Sequence, residues 1–217
     1  MERNKTGQVI AIRALVVGVI SLSIGFASFA SVLNIQASAN VKPDSSTMNV
    51  DFSSSASSVE VNDITPTATP ETVVATAAKI DNSSDPTIKN LSATFTEPGQ
   101  KVVYEFYAYN AGELNAYLKS IVYGNVTGKN LTKVCTASTG TTDTLVQKAC
   151  EGISVKVKVG NELETSTGTA SITGHALAKA NGEKVTVTLE YETGASRADG
   201  DFSVAFGDIT LNYSSAD

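Results

Sequence analysis

The chain has 217 residues, enough to bury the core of one substantial domain. Its formal charge of -6 at pH 7 argues against nucleic acid as a partner, because phosphate binding relies on clustered Lys and Arg. Ser, Thr, Val and Ala are abundant and Trp is absent, a composition that favours pleated sheets over helices.

Residues 1–30 have the layout of a secretory signal. A basic stretch from Met1 to Arg13 precedes an uncharged apolar run from Ala14 to Ala30. As a helix this run would extend about 25 Å, less than the roughly 30 Å of a bilayer core, which favours a cleaved signal helix over a permanent anchor. Small residues permit signal cleavage after Ala27, Ala30 or Ala39, and we favour Ala27 or Ala30 because Ala39 lies far from the apolar run. Removal of residues 1–30, which hold one acidic and three basic residues, leaves a formal charge of -8.

Residues 31–41 alternate between apolar and polar side chains, which is typical of a strand with one buried face. At the mature N-terminus, such a strand either pairs within its own sheet or adds to the sheet of a neighbouring copy. Head-to-tail addition produces a filament unless the rotation closes a ring. We therefore predict an N-terminal donor-type strand at residues 31–41, in which the assembly residues are Leu33, Ile35, Ala37, Ala39 and Val41.

The rest of the chain divides into two parts. Residues 42–86 are rich in Ser, Thr and Pro, and we predict short strands and a flexible connection there. Residues 87–217 are predicted to form the core of an antiparallel β-sandwich or jelly roll, because strand patterns alternate with turn signals. The clearest strand is 101–110, with two apolar faces that suit a central position. Other predicted strands are 116–123, 152–159, 184–191 and 202–213, with a short helix at 144–149.

Cys135 and Cys150 are the two cysteines, and fourteen residues separate them. Export to an oxidising compartment would allow them to form a disulfide, and closing a loop of about fifteen residues is worth roughly 3 kcal/mol. Two reduced or buried thiols are the alternative. The spacing does not match a Cys-x-x-Cys redox or zinc pattern.

The sequence contains no recognisable catalytic motif. His175 is the sole histidine, and neither a Gly-x-Ser-x-Gly elbow nor a zinc-peptidase helix is present. We therefore expect no catalytic residue, no metal site and no cofactor. Carboxylates that we considered for Ca²⁺ binding or acid-base chemistry, and interpret instead as turn or outward-facing strand residues, are Asp199, Asp201, Asp208, Glu105 and Glu190.

The chain resembles the TasA/camelysin family of exported bacterial proteins in three places. The leader ends in Ile-Gly-Phe-Ala-Ser-Phe-Ala, and a strand follows it. Within residues 90–112, a Pro98-Gly99 turn leads into an aromatic-rich strand that ends in an Asn-x-Gly turn. A Leu-x-Ala-x-Leu strand comes next, at residues 114–118.

The resemblance implies a jelly roll whose leader is removed by a dedicated signal peptidase. It also implies a secreted subunit of extracellular biofilm matrix fibres, which assembles with itself through N-terminal donor strands and joins other matrix or cell-surface proteins. Two alternatives remain open. One is a camelysin-like cell-surface metallopeptidase, which would require zinc; the other is an adhesin or binding module anchored in the membrane by its leader.

Overall fold

A computed structural model describes residues 33–42, 48–83, 86–161 and 169–215. The predicted signal helix and the cleavage positions Ala27 and Ala30 lie outside the described residues. The elements are β1 (Leu33–Lys42), β2 (Val50–Ser53), β3 (Thr67–Thr69), β4 (Val74–Thr76), β5 (Lys79–Asp81), β6 (Thr87–Phe95), β7 (Lys101–Asn110), β8 (Ala116–Tyr123), β9 (Lys133–Ala137), α1 (Asp143–Glu151), β10 (Ile153–Val159), β11 (Thr169–Leu177), β12 (Gly182–Tyr191), β13 (Phe202–Phe206) and β14 (Ile209–Ser214).

Two sheets enclose one core. The larger sheet has nine strands in the order β11-β8-β14-β1-β13-β9, with β6 on the other edge of β1 and with β4 and β5 on β6. The smaller sheet has five strands in the order β10-β12-β7-β2, with β3 also paired to β7. Inward-facing apolar side chains from both sheets form a single cluster, as in a β-sandwich.

Strand β7 shows why the sequence folds in this way. Val102, Tyr104 and Phe106 alternate with more exposed residues, and all three are completely buried. The turn before β7 needs a residue with positive φ, which Gly99 supplies at +93°. Because β12 pairs along one edge of β7 and β2 and β3 pair along the other, β7 occupies the central position predicted for it.

The last predicted strand, 202–213, is interrupted once. Its two parts, β13 and β14, follow one another along the same edge of β1, at Leu33–Gln36 and at Ala39–Lys42. The interruption falls at Gly207, where a Cβ atom would lie 2.0 Å from the Gly124 carbonyl oxygen. The close backbone approach therefore requires glycine at this position.

The core begins earlier in the chain than predicted. The segment interpreted as short strands and a flexible connection contains β2–β5, and these strands pair with β6 and β7. Met48, Phe52, Ile64 and Ile80 from this segment are buried in the common core. The alternation of Met48, Val50 and Phe52 indicates β2, whereas β3, β4 and β5 have three residues each and are too short to display a clear period.

The mostly β, sandwich-like prediction is confirmed, and the pairing is antiparallel except at one strand. Strand β1 is antiparallel to β6 but parallel to β13 and β14. A parallel neighbour requires a long connection between the paired strands. Almost the whole described chain lies between β1 and β13, so the parallel pairing joins its two ends.

We expect Phe106→Ala to lower the free energy of unfolding by about 3–5 kcal/mol, because it leaves a cavity in the core. The Phe106 ring is fully buried and meets the Phe52 ring edge-on, at 5.1 Å between centroids. Urea unfolding measures the change. The matched control is Tyr107→Ala on the outer, half-buried face of the same strand; an equal loss in both variants would contradict the assignment of faces.

Candidate strand-assembly site

The most distinctive site in the fold is the place that β1 occupies, which we call the β1 slot. Residues 33–40 pair with β6 along one edge of β1. Along the other edge, the same strand pairs with β13 and then with β14. Both rows of backbone groups are therefore satisfied by the surrounding sheet, as in the interior of any sheet.

Strand β1 is the sole backbone link between two groups of strands in the described larger sheet. The first group, the β6 wall, consists of β4, β5 and β6. The second, the C-terminal wall, has two parts that follow one another along the chain: β13 with β9 behind it, and β14 with β8 and β11 behind it. In the described sheet, strand pairing joins these two parts to each other only through β1. Without a strand in the slot, each wall would present an unpaired edge to the other.

A buried tyrosine attaches the β6 wall to the smaller sheet. Tyr104 lies on β7, and its hydroxyl oxygen is 2.7 Å from the Ser92 carbonyl and 2.8 Å from the Thr76 carbonyl. It also accepts a hydrogen bond from the Ser92 N–H, at 3.2 Å. Thr76 and Ser92 are register partners in β4 and β6. The hydroxyl thus joins these two strands on the side of β6 that faces away from β1.

An asparagine makes a second connection of the same kind. The Asn82 amide, just after β5, donates to the Phe52 carbonyl at 2.8 Å and accepts from the Phe52 N–H at 3.3 Å. The side-chain amide therefore reproduces the pairing that a neighbouring strand would give to β2. It connects the end of the β6 wall to the edge of the smaller sheet.

A disulfide attaches the C-terminal wall. It joins Cys135 on β9 to Cys150 in α1, with 6.1 Å between the Cα atoms. Cys135 is the register partner of Val204 on β13, and Val204 is the partner of Ile35 on β1. Cys135 therefore lies on the same cross-strand row as Ile35, which occupies the slot.

A half-buried lysine reinforces this attachment. The Lys133 ammonium donates to the carbonyls of Cys150 and Ile153, each at 2.5 Å, and so ties β9 to the start of β10. Burial lowers the pKa of Lys133, while the negative charges of Glu192 and Glu151 act in the opposite direction. The lysine lines a cavity of about 210 Å³ between the two sheets.

The structure brings the predicted assembly residues together on β1. Leu33, Ile35, Ala37, Ala39 and Val41 all lie within this strand, and Ala37 is buried. The pairing within the chain's own sheet is one of the two arrangements that the sequence left open. What the sequence did not identify is the set of groups that hold the walls. Tyr104 is part of the predicted strand 101–110, but nothing in the pattern distinguished its hydroxyl, Lys133 or Asn82.

The sole histidine has a structural contact. His175 Nε2 lies 2.5 Å from a Glu183 carboxylate oxygen, and both side chains are largely buried. Because His175 is on β11 and Glu183 is on β12, the pair connects the larger sheet to the smaller one.

The carboxylates considered from sequence are also engaged in structural contacts. Asp199 accepts hydrogen bonds from the Thr142 N–H at 2.9 Å and from its hydroxyl at 2.5 Å, next to the start of α1. These bonds hold the pKa of Asp199 below its usual value. Glu105 and Glu190 pair with Lys184 and Lys156, respectively, at 2.8 and 2.7 Å.

In the four described ranges, no group of three or more His, Cys, Asp or Glu side chains is placed to hold a metal ion. Over the same ranges, no helix has the length and apolar character needed to cross a bilayer. No protein-family model matches the sequence, and no curated protein matches it.

We expect the stability of the protein to fall as the pH rises from about 10 to 12, because of its buried tyrosines. Burial raises the pKa of Tyr104 to about 12, and it also raises the pKa of Tyr191 and Tyr213. In this window the unfolded chain releases these protons first, so it binds fewer protons and unfolding becomes easier.

Urea unfolding at a series of alkaline pH values measures this dependence, and Tyr104→Phe should make it shallower. The control Tyr107→Phe removes a half-buried hydroxyl from the outer face of the same strand. Identical pH profiles for the wild type and Tyr104→Phe would contradict the prediction.

Proposed function

We propose that this chain is an exported structural subunit of extracellular fibres, in which the copies join by exchanging β1. The observation that supports the proposal best is the position of β1. It is the first described strand, yet it is paired on both edges at the centre of the larger sheet. A terminal segment can leave such a position without the rest of the chain being rethreaded.

Exchange conserves the hydrogen bonds of the slot. A β1 strand from a second copy has the same sequence, so it forms the same bonds with β6, β13 and β14. This is the condition that makes domain swapping a low-cost route to association. The balance between the closed monomer and the assembly then depends on protein concentration and on the chain that connects β1 to β2.

The length of that connection is compatible with exchange. Residues 43–47 join Lys42 in the larger sheet to Met48, which is buried in the core. Packed sheets are about 10 Å apart, whereas a fully extended segment of five residues reaches roughly 17 Å. The connection is therefore longer than the gap between the sheets, and it leaves β1 some length with which to move out of its own slot.

Donation of β1 in one direction, from each copy to the next, would produce a fibre. Each copy would donate β1 through one surface and receive β1 through another, so the contact is head-to-tail. Such a contact propagates unless the rotation between copies closes a ring. The mature chain is acidic, and this charge weakly opposes association until a specific contact is made.

Several observations agree with export and with a structural role. The leader has the features of a secretory signal, and the Cys135–Cys150 disulfide suits an oxidising compartment. The resemblance to the TasA/camelysin family leads us to propose a jelly-roll topology and a location in the extracellular matrix or at the cell surface. Signal peptidase and other matrix proteins are the proposed partners, and we assign no catalytic activity.

Cysteine pairs test the exchange directly. Asn34 on β1 and Thr94 on β6 are register partners, and Thr94 lies on the outer, half-buried face of its strand. We expect an Asn34→Cys chain mixed with a Thr94→Cys chain to form a covalent dimer under mild oxidation, because exchange places the two sulfurs together. Non-reducing electrophoresis detects the product.

The control mixes Asn34→Cys with Thr188→Cys, which lies on the outer face of the smaller sheet, and should remain monomeric. If the Asn34 and Thr94 variants also remain monomeric at every concentration, β1 does not leave its own chain.

Fibre formation is tested with the chain that starts at Ser31. We expect electron microscopy to show filaments of this chain. The chain that starts at Pro43 should form none, since it cannot donate a strand. Filaments of equal length from both chains would contradict assembly through β1. Zinc bound to the purified protein, together with proteolysis of casein, would favour the metallopeptidase alternative instead.

A further inference from the structure

We propose that Tyr104 and the Cys135–Cys150 disulfide are positioning groups that hold the two walls of the β1 slot in place while β1 is absent. The inference builds on the proposed function, because a subunit that exchanges its strand must pass through a state with an empty slot. In that state each wall has an unpaired edge, and a collapsed slot would not accept a new strand.

The β6 wall can stay in place because its attachment does not involve β1. The Tyr104 hydroxyl has one hydrogen, so it donates to the Ser92 or the Thr76 carbonyl and accepts from the Ser92 N–H. These groups belong to β4 and β6, and Tyr104 belongs to the smaller sheet. The chain also turns directly from β6 into β7, where the Gln100 side chain bonds to the Thr96 N–H at 2.7 Å.

The part of the C-terminal wall formed by β13 and β9 has a covalent attachment. The disulfide joins β9 to α1, which packs its buried Val146 and Ala149 into the core. Strand β9 pairs with β13 over residues 133–137 and 202–206, so the disulfide holds β13 through one intervening strand. The Lys133 bonds to Cys150 and Ile153 act on the same strand. None of these contacts includes a residue of β1.

Both attachments are positioned so that they do not obstruct the exchange of β1. Each one reaches its wall from the side away from the slot, so an incoming strand meets neither a side chain to displace nor a bond to break. The slot then retains the spacing of one strand between β6 and β13. The disulfide also makes the empty slot sensitive to redox conditions, since reduction would release β9 from α1.

The test uses the mature chain with the substitution Ile35→Pro, which should displace β1 from the slot. Ile35 pairs with Ala93 on one side and Val204 on the other, and proline removes a ladder hydrogen bond. Hydrogen exchange then reports each wall separately. We expect the amides of β6 to stay protected in Ile35→Pro, and to exchange about tenfold faster when Tyr104→Phe is added, from the loss of a buried hydrogen bond.

The matched control is Tyr191→Phe in the same Ile35→Pro chain. The Tyr191 hydroxyl also bonds to a backbone carbonyl, that of Ser196 at 2.6 Å, and Ser196 does not belong to the β6 wall. The Tyr191→Phe substitution should leave the hydrogen exchange of the β6 amides unchanged. The proposal is overturned if the β6 amides exchange hydrogen equally fast in the two double variants. It is also overturned if Ile35→Pro alone unfolds the whole chain.

A labelled peptide of residues 31–42 tests acceptance of a strand. We expect fluorescence anisotropy to show binding to Ile35→Pro, and about tenfold weaker binding once Tyr104→Phe or Cys135→Ser/Cys150→Ser is added. Unchanged affinity in both would overturn the role of these groups. If the peptide binds no variant, strand exchange itself fails, whereas the hydrogen-exchange comparison still decides whether the walls are held.

Discussion

The fold depends on the backbone pairing of β1 with strands on both of its edges. The two walls of the larger sheet, each with several strands, face one another across a gap that a single strand fills. Both rows of β1 amides and carbonyls are used, so the cost of removing this strand includes two exposed edges. This strand comes from the N-terminal end of the described chain, and it pairs with three other strands.

The two layers of the sandwich have different roles around this position. The smaller sheet is antiparallel throughout and is built on the long pair β7–β12, whose inward-facing residues are completely buried. Four contacts join the walls of the slot to this sheet or to α1: those of the Tyr104 hydroxyl, the Asn82 amide, the Lys133 ammonium and the disulfide. Buried polar groups of this kind are directional, and apolar packing alone would not define the spacing between the walls.

The local patterns predicted some elements to the residue and failed to predict others. Strands β7 and β8 match the predicted bounds 101–110 and 116–123, because long alternating runs between turn residues are clear signals. Strands β9 and β11 did not have such signals, and β3, β4 and β5 have three residues each. For these short strands, pairing with a longer neighbour supplies the stability that their own sequence does not.

The sequence by itself determined that β1 is a strand, that the protein is mostly β, and that two cysteines are available. Each of these follows from local alternation, composition or count. Only the tertiary structure decided that β1 lies between β6 and β13–β14, with parallel pairing on one side. It also placed Cys135 on the row of Ile35 and Val204, and put the Tyr104 hydroxyl between β4 and β6. The physical reason is that a strand's period specifies its faces but not its neighbours, which depend on contacts between residues far apart in the chain.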